Sequence, residues 1–99
     1  ITAKQLIPML SIERSEDRLE WLKVGWILNN ICEGCTEALD IWQDFSSRSV
    51  DKYREDVCIY EWDRMKSSDL GIGTLKYYAK QDNPDEYRKW TTVSHKEIV

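Results

Sequence analysis

The sequence has few of the residues that interrupt regular structure, with four glycines and two prolines among 99 residues. It also lacks an apolar run of the ~18–20 residues that a membrane-spanning helix needs, and no secretory signal segment opens it. We therefore predict an intracellular protein. Because the chain begins at Ile1 rather than methionine, we interpret it as a fragment of a larger polypeptide.

Histidine and cysteine are scarce, with one histidine (His95) and three cysteines. An odd cysteine count argues against a closed disulfide framework. Cys32, Cys35, Cys58 and His95 could together supply four zinc ligands, but the long separation of Cys58 from His95 is atypical of zinc sites. We therefore predict buried thiols and assign no metal. No nucleophile has a neighbouring base, so we assign no catalytic residue and predict a non-catalytic domain.

Positive charge is also limited, because the chain carries a net charge of −4. Its distribution is uneven: residues 1–47 hold four basic and eight acidic residues, whereas residues 48–99 hold ten of each. Basic residues concentrate in the segments 48–54 and 64–80. A locally basic surface on an acidic domain is therefore predicted, which is a feature of nucleic-acid-binding proteins.

Apolar residues recur at helical spacing, which predicts an all-α bundle of five to six short helices in a single domain. We place its core at residues 9–90 and a tail or linker at 91–99. Helix starts are predicted near Thr2, Ser15, Thr36, Arg54, Gly73 or Thr74, and Asn83. Pro8 should shorten or kink the first helix, and the second should run unbroken from Ser15 to about Cys32.

Aromatic residues could serve either packing or base stacking. Trp21, Trp42 and Trp62 lie on apolar helical stripes and are predicted to be core residues. Gly25 lies inside the second helix, which predicts close approach of a neighbouring helix backbone. Tyr53 and Tyr77 lie beside cations on polar faces, an arrangement suited to single-stranded nucleic acid, although an ordinary exposed tyrosine explains either one alone.

The stretch "LGIGTLKYYAKQDNPDEY", residues 70–87, contains Gly71-x-Gly73 without the GK[ST] ending of a phosphate-binding loop. Two glycines can simply turn the chain into a helix. A helix amino-terminus can also hold one phosphate oxygen, so a phosphate contact remains the second interpretation of this stretch.

Three stretches resemble, in order and spacing, the second type of helical primase C-terminal domain: "MLSIERSEDRLEWLKVGWILNNI", "ALDIWQDFSSRSVDKY" and "GIGTLKYYAKQDNP". This module occurs in primase–helicases of large DNA viruses and in related phage and plasmid proteins. The resemblance implies a helix bundle between a primase catalytic domain and a superfamily-three helicase domain. It also implies a place at replication sites in the host cytoplasm or nucleus if the source is viral.

The resemblance further implies a function: helping to bind single-stranded template DNA and the initiating nucleoside triphosphate. ATP and Mg²⁺ would be used by the parent enzyme, and this domain would need no cofactor beyond weak nucleotide binding. Lys23, Trp26, Ser49, Lys52, Tyr53, Gly73, Thr74, Lys76 and Tyr77 match family motifs, whereas Asn29 stands where members often have histidine. The candidate binding residues are Lys23, Arg48, Ser49, Lys52, Tyr53, Arg54, Thr74, Lys76, Tyr77 and Lys80.

Two other functions remain open on the sequence alone. Net negative charge and exposed acidic residues suit a structural spacer or protein-interaction module between the primase and helicase domains. A metal-bound regulatory bundle that uses the cysteines is the third possibility.

Overall fold

The computed structural model describes the backbone of residues 2–65 and 69–98 and the side chains of residues 3–65 and 69–92. Its elements are α1 (Thr2–Leu6), a 3-10 helix (Ile7–Met9), α2 (Glu13–Glu16), α3 (Arg18–Ile31), α4 (Thr36–Ser46), α5 (Glu55–Asp63), α6 (Ile72–Asp82) and α7 (Pro84–Ile98). These ranges contain no strand, so the all-α fold class is confirmed. Lys66 and the predicted loop residues Ser67 and Ser68 lie outside the described residues, as does the His95 side chain.

Proline shapes the first element as the sequence indicated. Pro8 lies in the 3-10 helix that follows α1, and the amide of Leu10 closes this helix by donating to the Ile7 carbonyl at 3.0 Å. Because proline has no amide hydrogen, the chain cannot continue as an unbroken α-helix through this position. The short, kinked first element is therefore confirmed.

The predicted unbroken helix from Ser15 is wrong, because the chain bends at Asp17 between α2 and α3. Asp17 has an extended backbone, and its side chain accepts a hydrogen bond from the Glu20 amide at 3.1 Å. Ser15 is buried instead, with its hydroxyl donating to the Ile12 carbonyl at 2.6 Å. An aspartate both caps the orphan amides and complements the helix dipole, so it competes well with serine for this position.

Tryptophans form the centre of the core, as predicted. The ring centroids of Trp21 and Trp42 lie 4.7 Å apart in a stacked pair, and that of Trp62 lies 5.7 Å from Trp42. Trp42 is fully buried and its indole nitrogen donates to the Trp21 carbonyl at 3.1 Å. The other buried apolar residues are Ala3, Leu6, Ile7, Leu10, Val24, Ile27, Leu28, Ala38, Phe45, Cys58, Leu75 and Ala79. Ile59, whose helical spacing from Trp62 predicts burial, is 41% exposed.

Gly25 on α3 permits a close approach, but from side chains rather than from a helix backbone. A Cβ atom at Gly25 would lie 2.6 Å from Trp42 Cε2 and 2.7 Å from Met65 Cε. Such distances are well inside van der Waals contact. The glycine therefore makes room for the Trp42 indole, which offsets its poor helix propensity.

Gly25→Ala is expected to lower the free energy of unfolding by about 1–2 kcal/mol, because overpacking outweighs the gain in helix propensity. Gly73→Ala is the matched control: Gly73 lies in α6 with no atom within 4 Å of its would-be Cβ. It should raise stability by about 0.5–1 kcal/mol. Urea unfolding followed by circular dichroism measures both changes, and equal effects at the two sites would contradict the packing role of Gly25.

The turn after α3 confirms the predicted helix end and corrects the cysteine chemistry. Glu33 and Gly34 both have positive φ, at +50° and +79°, and the Gly34 amide donates to the Asn29 carbonyl at 2.9 Å. This reversal brings Cys32 and Cys35 together as a disulfide, so the prediction of buried thiols is wrong for this pair. Cys58 is a free, buried thiol, as predicted.

A buried ion pair that the sequence did not reveal ties α2 to the end of α6. The Arg14 guanidinium donates to both carboxylate oxygens of Asp82, at 2.9 Å to Oδ1, and also contacts Gln81 and Glu20. The Ser11 amide donates to Asp82 Oδ2 at 2.9 Å. Burial by itself would raise the pKa of the Asp82 carboxyl, but these hydrogen bonds and the Arg14 charge outweigh it and hold the pKa below its usual value.

The remaining helices begin close to the predicted positions. Thr36 is the first residue of α4 rather than its cap, which is Cys35. Arg54 precedes α5 directly, and Gly71 precedes α6. The last helix, α7, continues to Ile98 through the residues for which a tail was predicted.

Candidate nucleic-acid interface

The connection between α4 and α5, residues 47–54, is a tightly hydrogen-bonded turn. The amides of Lys52 and Tyr53 both donate to the Ser49 carbonyl, at 3.1 and 2.8 Å. The Tyr53 hydroxyl donates to Gln43 Oε1 at 2.6 Å, which fixes the ring against α4. Burial raises the pKa of Tyr53, so the phenol remains a protonated donor. The turn thus places Ser49, Lys52 and Tyr53 in defined positions.

A cavity of about 140 Å³ lies between this turn, the α2–α3 junction and α5. Its apolar wall contains Trp21, Val57 and Cys58, with Tyr53 beside them. Burial raises the pKa of the Cys58 thiol, so that this side chain stays neutral and apolar. The cavity therefore offers mainly aromatic and aliphatic surface.

Three serine hydroxyls also line the cavity, and they differ in their hydrogen bonds. Ser46 donates to the Trp42 carbonyl at 2.7 Å and accepts from the Trp21 indole at 2.6 Å. Ser15 is paired with the Ile12 carbonyl. Ser49 is only 2% exposed, and among the residues that the structure describes its Oγ atom has no hydrogen-bond partner. A buried, unpaired hydroxyl is uncommon, and it leaves hydrogen-bonding capacity beside the cavity.

Three cations surround the cavity: Arg18, Lys52 and Arg54, which we call the cavity rim. Lys52 Nζ donates to the Glu16 carbonyl at 2.9 Å. Arg18 and Arg54 lie 3.2 and 3.7 Å from carboxylates on α5, but their side chains are 68% and 71% exposed. Exposed pairs of this kind contribute only about 0–1 kcal/mol, so an incoming anion can compete for these guanidinium groups.

Two other candidate cations are engaged by neighbouring groups. Arg48 donates to the carbonyls of Leu10 and Ile7, at 2.9 and 3.1 Å, and its guanidinium lies over the Phe45 ring. It therefore attaches the α4–α5 turn to the first element. Lys23 is half-buried on α3, with its ammonium 3.9 Å from the Glu20 carboxylate. Neither residue lines the cavity.

The candidates on α6 form a second surface. Lys76, Tyr77 and Lys80 lie within about 100° of one another around the helix, and we call them the α6 strip. Tyr77 is 63% exposed and Lys80 is exposed, whereas Lys76 is half-buried. In residues 3–65 and 69–92, no carboxylate forms a salt bridge with Lys76 or Lys80. Thr74 is half-buried in the first turn, where its amide donates to the Gly71 carbonyl.

Of the ten sequence-based candidates, the cavity brings together Ser49, Lys52, Tyr53 and Arg54. The α6 strip does not contribute to it. Sequence reasoning did not single out Arg18, Trp21 or Val57 for this site, because their proximity to the turn depends on how α3 packs against α4 and α5. No local pattern could have revealed it.

Two further observations concern metal binding and membrane spanning. Among the described side chains, no three histidine, cysteine, aspartate or glutamate residues are grouped to hold a metal ion. Within 2–65 and 69–98, no helix is both long and apolar enough to cross a bilayer.

Comparison with known proteins decides the family. The family model described as Primase C terminal 2 (PriCT-2) matches residues 3–79. The chain belongs to this family. PriCT-2 membership agrees with the resemblance carried by the three sequence stretches, and the match ends within α6, at Ala79.

Viral proteins contain related segments. The chain is 38% identical over 99 residues to putative helicase 121R of invertebrate iridescent virus 3, and 37% identical over 89 residues to putative helicase 022R of frog virus 3. It is 34% identical over 89 residues to putative helicase L207/L206 of Acanthamoeba polyphaga mimivirus. The matches cover 94%, 89% and 88% of this chain but only 10%, 9% and 9% of those proteins. No solved structure matches the chain.

Proposed function

We propose that this PriCT-2 chain is an accessory domain of a DNA primase–helicase that helps to bind single-stranded template DNA and the initiating nucleotide. The observation that carries the proposal is the cavity rim, where three exposed cations surround a mainly apolar cavity with an unpaired Ser49 hydroxyl. The names of the viral relatives, putative helicases, support a place in replication. The parent protein would use ATP and Mg²⁺, and this domain would be non-catalytic.

Electrostatics support the placement of DNA at the cavity rim. The chain carries a net charge of −4, which repels a polynucleotide at long range. Three cations line the cavity together with one carboxylate, Glu16, while Glu61 and Asp56 on α5 pair with Arg18 and Arg54. A phosphate would bind there by displacing these carboxylates from the exposed guanidinium groups, and each such pair contributes only about 0–1 kcal/mol.

The α6 strip supplies a second set of contacts of the same chemistry. Tyr77 presents an exposed ring, and the neighbouring lysines can contact phosphates on either side of a stacked base. Stacking of one base on an aromatic ring contributes roughly 1–3 kcal/mol. The strip and the cavity rim are separate elements of the proposed interface, and each can be tested by its own variants.

The test is the salt dependence of binding to a fluorescent 15-nucleotide single strand. The parent should bind with log K falling as log[salt] rises. Lys52→Ala and Lys76→Ala should each weaken binding about 3- to 10-fold and reduce the slope by about 0.7, because each removes one phosphate contact. Tyr77→Ala should weaken binding about 5- to 100-fold with little change of slope.

Lys89→Ala is the matched control. Lys89 lies on α7, belongs to neither the cavity lining nor the α6 strip, and has a side chain that is 74% exposed. Lys89→Ala removes one positive charge, as Lys52→Ala does, and should leave the affinity for the single strand within about twofold of the parent. Absence of binding to single-stranded DNA and to ATP at low salt would rule out the proposal. Equal losses in Lys89→Ala and Lys52→Ala would show that net charge, not this interface, controls binding.

A structural spacer or protein-interaction module is the second candidate function. Leu19, Ile59 and Tyr60 are exposed large apolar residues on α3 and α5, of the kind that partner domains cover. Crosslinking within the longer parent protein tests this alternative. Crosslinks from α5 to a neighbouring domain, together with no DNA binding, would favour it.

A further inference from the structure

The cavity behind the cavity rim has the size of one aromatic ring rather than of a nucleotide. Its volume is about 140 Å³. A protein cavity of roughly 150 Å³ accommodates benzene, whereas sites for drug-sized ligands occupy about 300–1,000 Å³. A whole nucleoside triphosphate is therefore too large to enter, but a single six-membered ring is not.

We propose that this cavity is a subsite for one unstacked pyrimidine base, with the attached phosphate at the cavity rim. The inference rests on the proposed function and deepens it, because it names which part of the polynucleotide enters the protein. The same chemistry is present in a template strand and in a free pyrimidine nucleotide. The experiment below separates these two sources.

The walls of the cavity favour a base over a phosphate. Trp21 stacks on Trp42 and has the Arg18 guanidinium over its ring, 5.9 Å from the centroid. Together with Val57, it offers apolar surface beside which a base can pack. A phosphate placed among these groups would lose its hydration without a buried cation to compensate. The cations lie outside, where Arg18 and Arg54 remain largely exposed and can neutralise a hydrated phosphate.

Ser49 supplies the polar contact that such a subsite needs. Its hydroxyl can both donate and accept, and it is the unpaired group among the three described serines of the cavity. A pyrimidine presents carbonyl and ring-nitrogen atoms on one edge, and rotation of the buried Ser49 hydroxyl toward the cavity would let one of them pair with it. Without a ligand, this hydroxyl has no hydrogen-bond partner among the described residues.

The experiment compares a (dT)10 strand with a ten-unit abasic strand, which carries the same phosphates without bases. The parent should bind the (dT)10 strand at least tenfold more tightly. Val57→Phe, which fills the cavity, should weaken (dT)10 binding severalfold toward the abasic level and leave abasic binding unchanged, while stacking on Tyr77 persists. Ile59→Phe is its control, because it makes a similar enlargement on α5 at a residue that is 41% exposed and does not line the cavity.

Ser49→Ala keeps the test independent of folding defects. Because the Ser49 hydroxyl is buried and unpaired, its removal should leave the melting temperature unchanged or higher. It should nonetheless weaken (dT)10 binding severalfold. In isotope-labelled protein, contacts between thymine protons and the Val57 methyl groups, detected by nuclear Overhauser effects, locate the base directly.

Each outcome has a distinct meaning. Equal binding of (dT)10 and abasic strands, or thymine contacts confined to Tyr77, would overturn the subsite and leave the proposed function intact. Loss of binding to both strands at low salt would overturn the proposed function and the subsite with it. Thymidine monophosphate that competes at the Val57 methyl groups would assign the subsite to free nucleotides as well, and failure to compete would restrict it to the strand.

Discussion

Trp42→Ala is expected to lower the free energy of unfolding by about 3–5 kcal/mol, because it removes the largest fully buried side chain of the core. The indole packs between Trp21 and Trp62, and its nitrogen satisfies the Trp21 carbonyl. Its removal leaves a cavity and deprives the Trp21 carbonyl of a hydrogen bond additional to the one within α3. Domains of this size are stabilised by about 5–15 kcal/mol, so the variant would lose a large fraction of its stability.

Urea unfolding monitored by far-ultraviolet circular dichroism measures this loss. Tyr60→Ala, an exposed aromatic on α5, is the control and should change stability by less than about 1 kcal/mol. A loss below about 1.5 kcal/mol for Trp42→Ala would contradict the central position of this residue.

The contact between Trp42 and Gly25 adds a second, independent criterion. Gly25→Ala is destabilising only because its Cβ meets the indole and the Met65 methyl group. In a Trp42→Leu background most of this obstruction is gone, so Gly25→Ala should become neutral or stabilising there. The coupling energy of this double-mutant cycle is expected to be about 1–3 kcal/mol. Strictly additive changes in the free energy of unfolding would show that the two positions are not in steric contact.

Asp82→Asn is expected to lower the free energy of unfolding at pH 7 by about 2–3 kcal/mol, because it leaves the Arg14 guanidinium without its buried counter-ion. The side chains of Arg14 and Asp82 are only 12% and 8% exposed. Tyr78 lies against the guanidinium at 4.0 Å, and Glu20 contacts it from α3. Glu20 is too exposed to replace Asp82 as the counter-ion of Arg14, so most of the loss in unfolding free energy should persist.

The pH dependence follows from the lowered pKa of Asp82 in the folded protein. An unfolded aspartate titrates near pH ~3.9. Because the folded pKa is below this value, the carboxylate stabilises the fold above the unfolded pKa, and the contribution disappears as pH falls through the folded pKa. The stability difference between parent and Asp82→Asn should therefore be constant from pH 7 to about 5 and shrink below about pH 4.

Chemical unfolding across this pH range tests the prediction. Asp40→Asn, which neutralises an exposed carboxylate in α4, is the matched control and should differ little from the parent at any pH. A stability difference for Asp82→Asn that grows as the pH falls would contradict the assigned direction of the pKa shift.

Local sequence pattern predicted the helices well and their junctions less well. The spacing of Trp21, Val24 and Leu28 requires only neighbours on one helix, so periodicity is sufficient to predict a buried stripe. The bend at Asp17 was missed because Ser15 and Asp17 are both good helix caps, and the choice depends on packing. The Cys32–Cys35 disulfide was missed because the odd cysteine count was given more weight than the reversal at Glu33–Gly34.

The proposed interface was likewise predictable from the sequence only in part. Lys52, Tyr53 and Arg54 are adjacent in sequence, so a basic turn could be predicted from composition alone. Arg18 and Trp21 reach the same cavity from about thirty residues away along the chain. Segments 48–54 and 64–80 are both basic in sequence, yet of the described residues in them the structure places the α4–α5 turn, and not the α6 strip, at this cavity.

The sequence by itself determined the all-α class, the tryptophan core and the family, because helical periodicity and short motifs depend on residues a few positions apart. Only the tertiary structure decided that Asp82 is buried against Arg14, that Gly25 makes room for an indole, and that Ser49 lies unpaired beside a cavity ringed by cations. Those features require helices distant in the chain to meet at a particular distance and rotation. That geometry is set by the packing of the whole core, which no local pattern encodes.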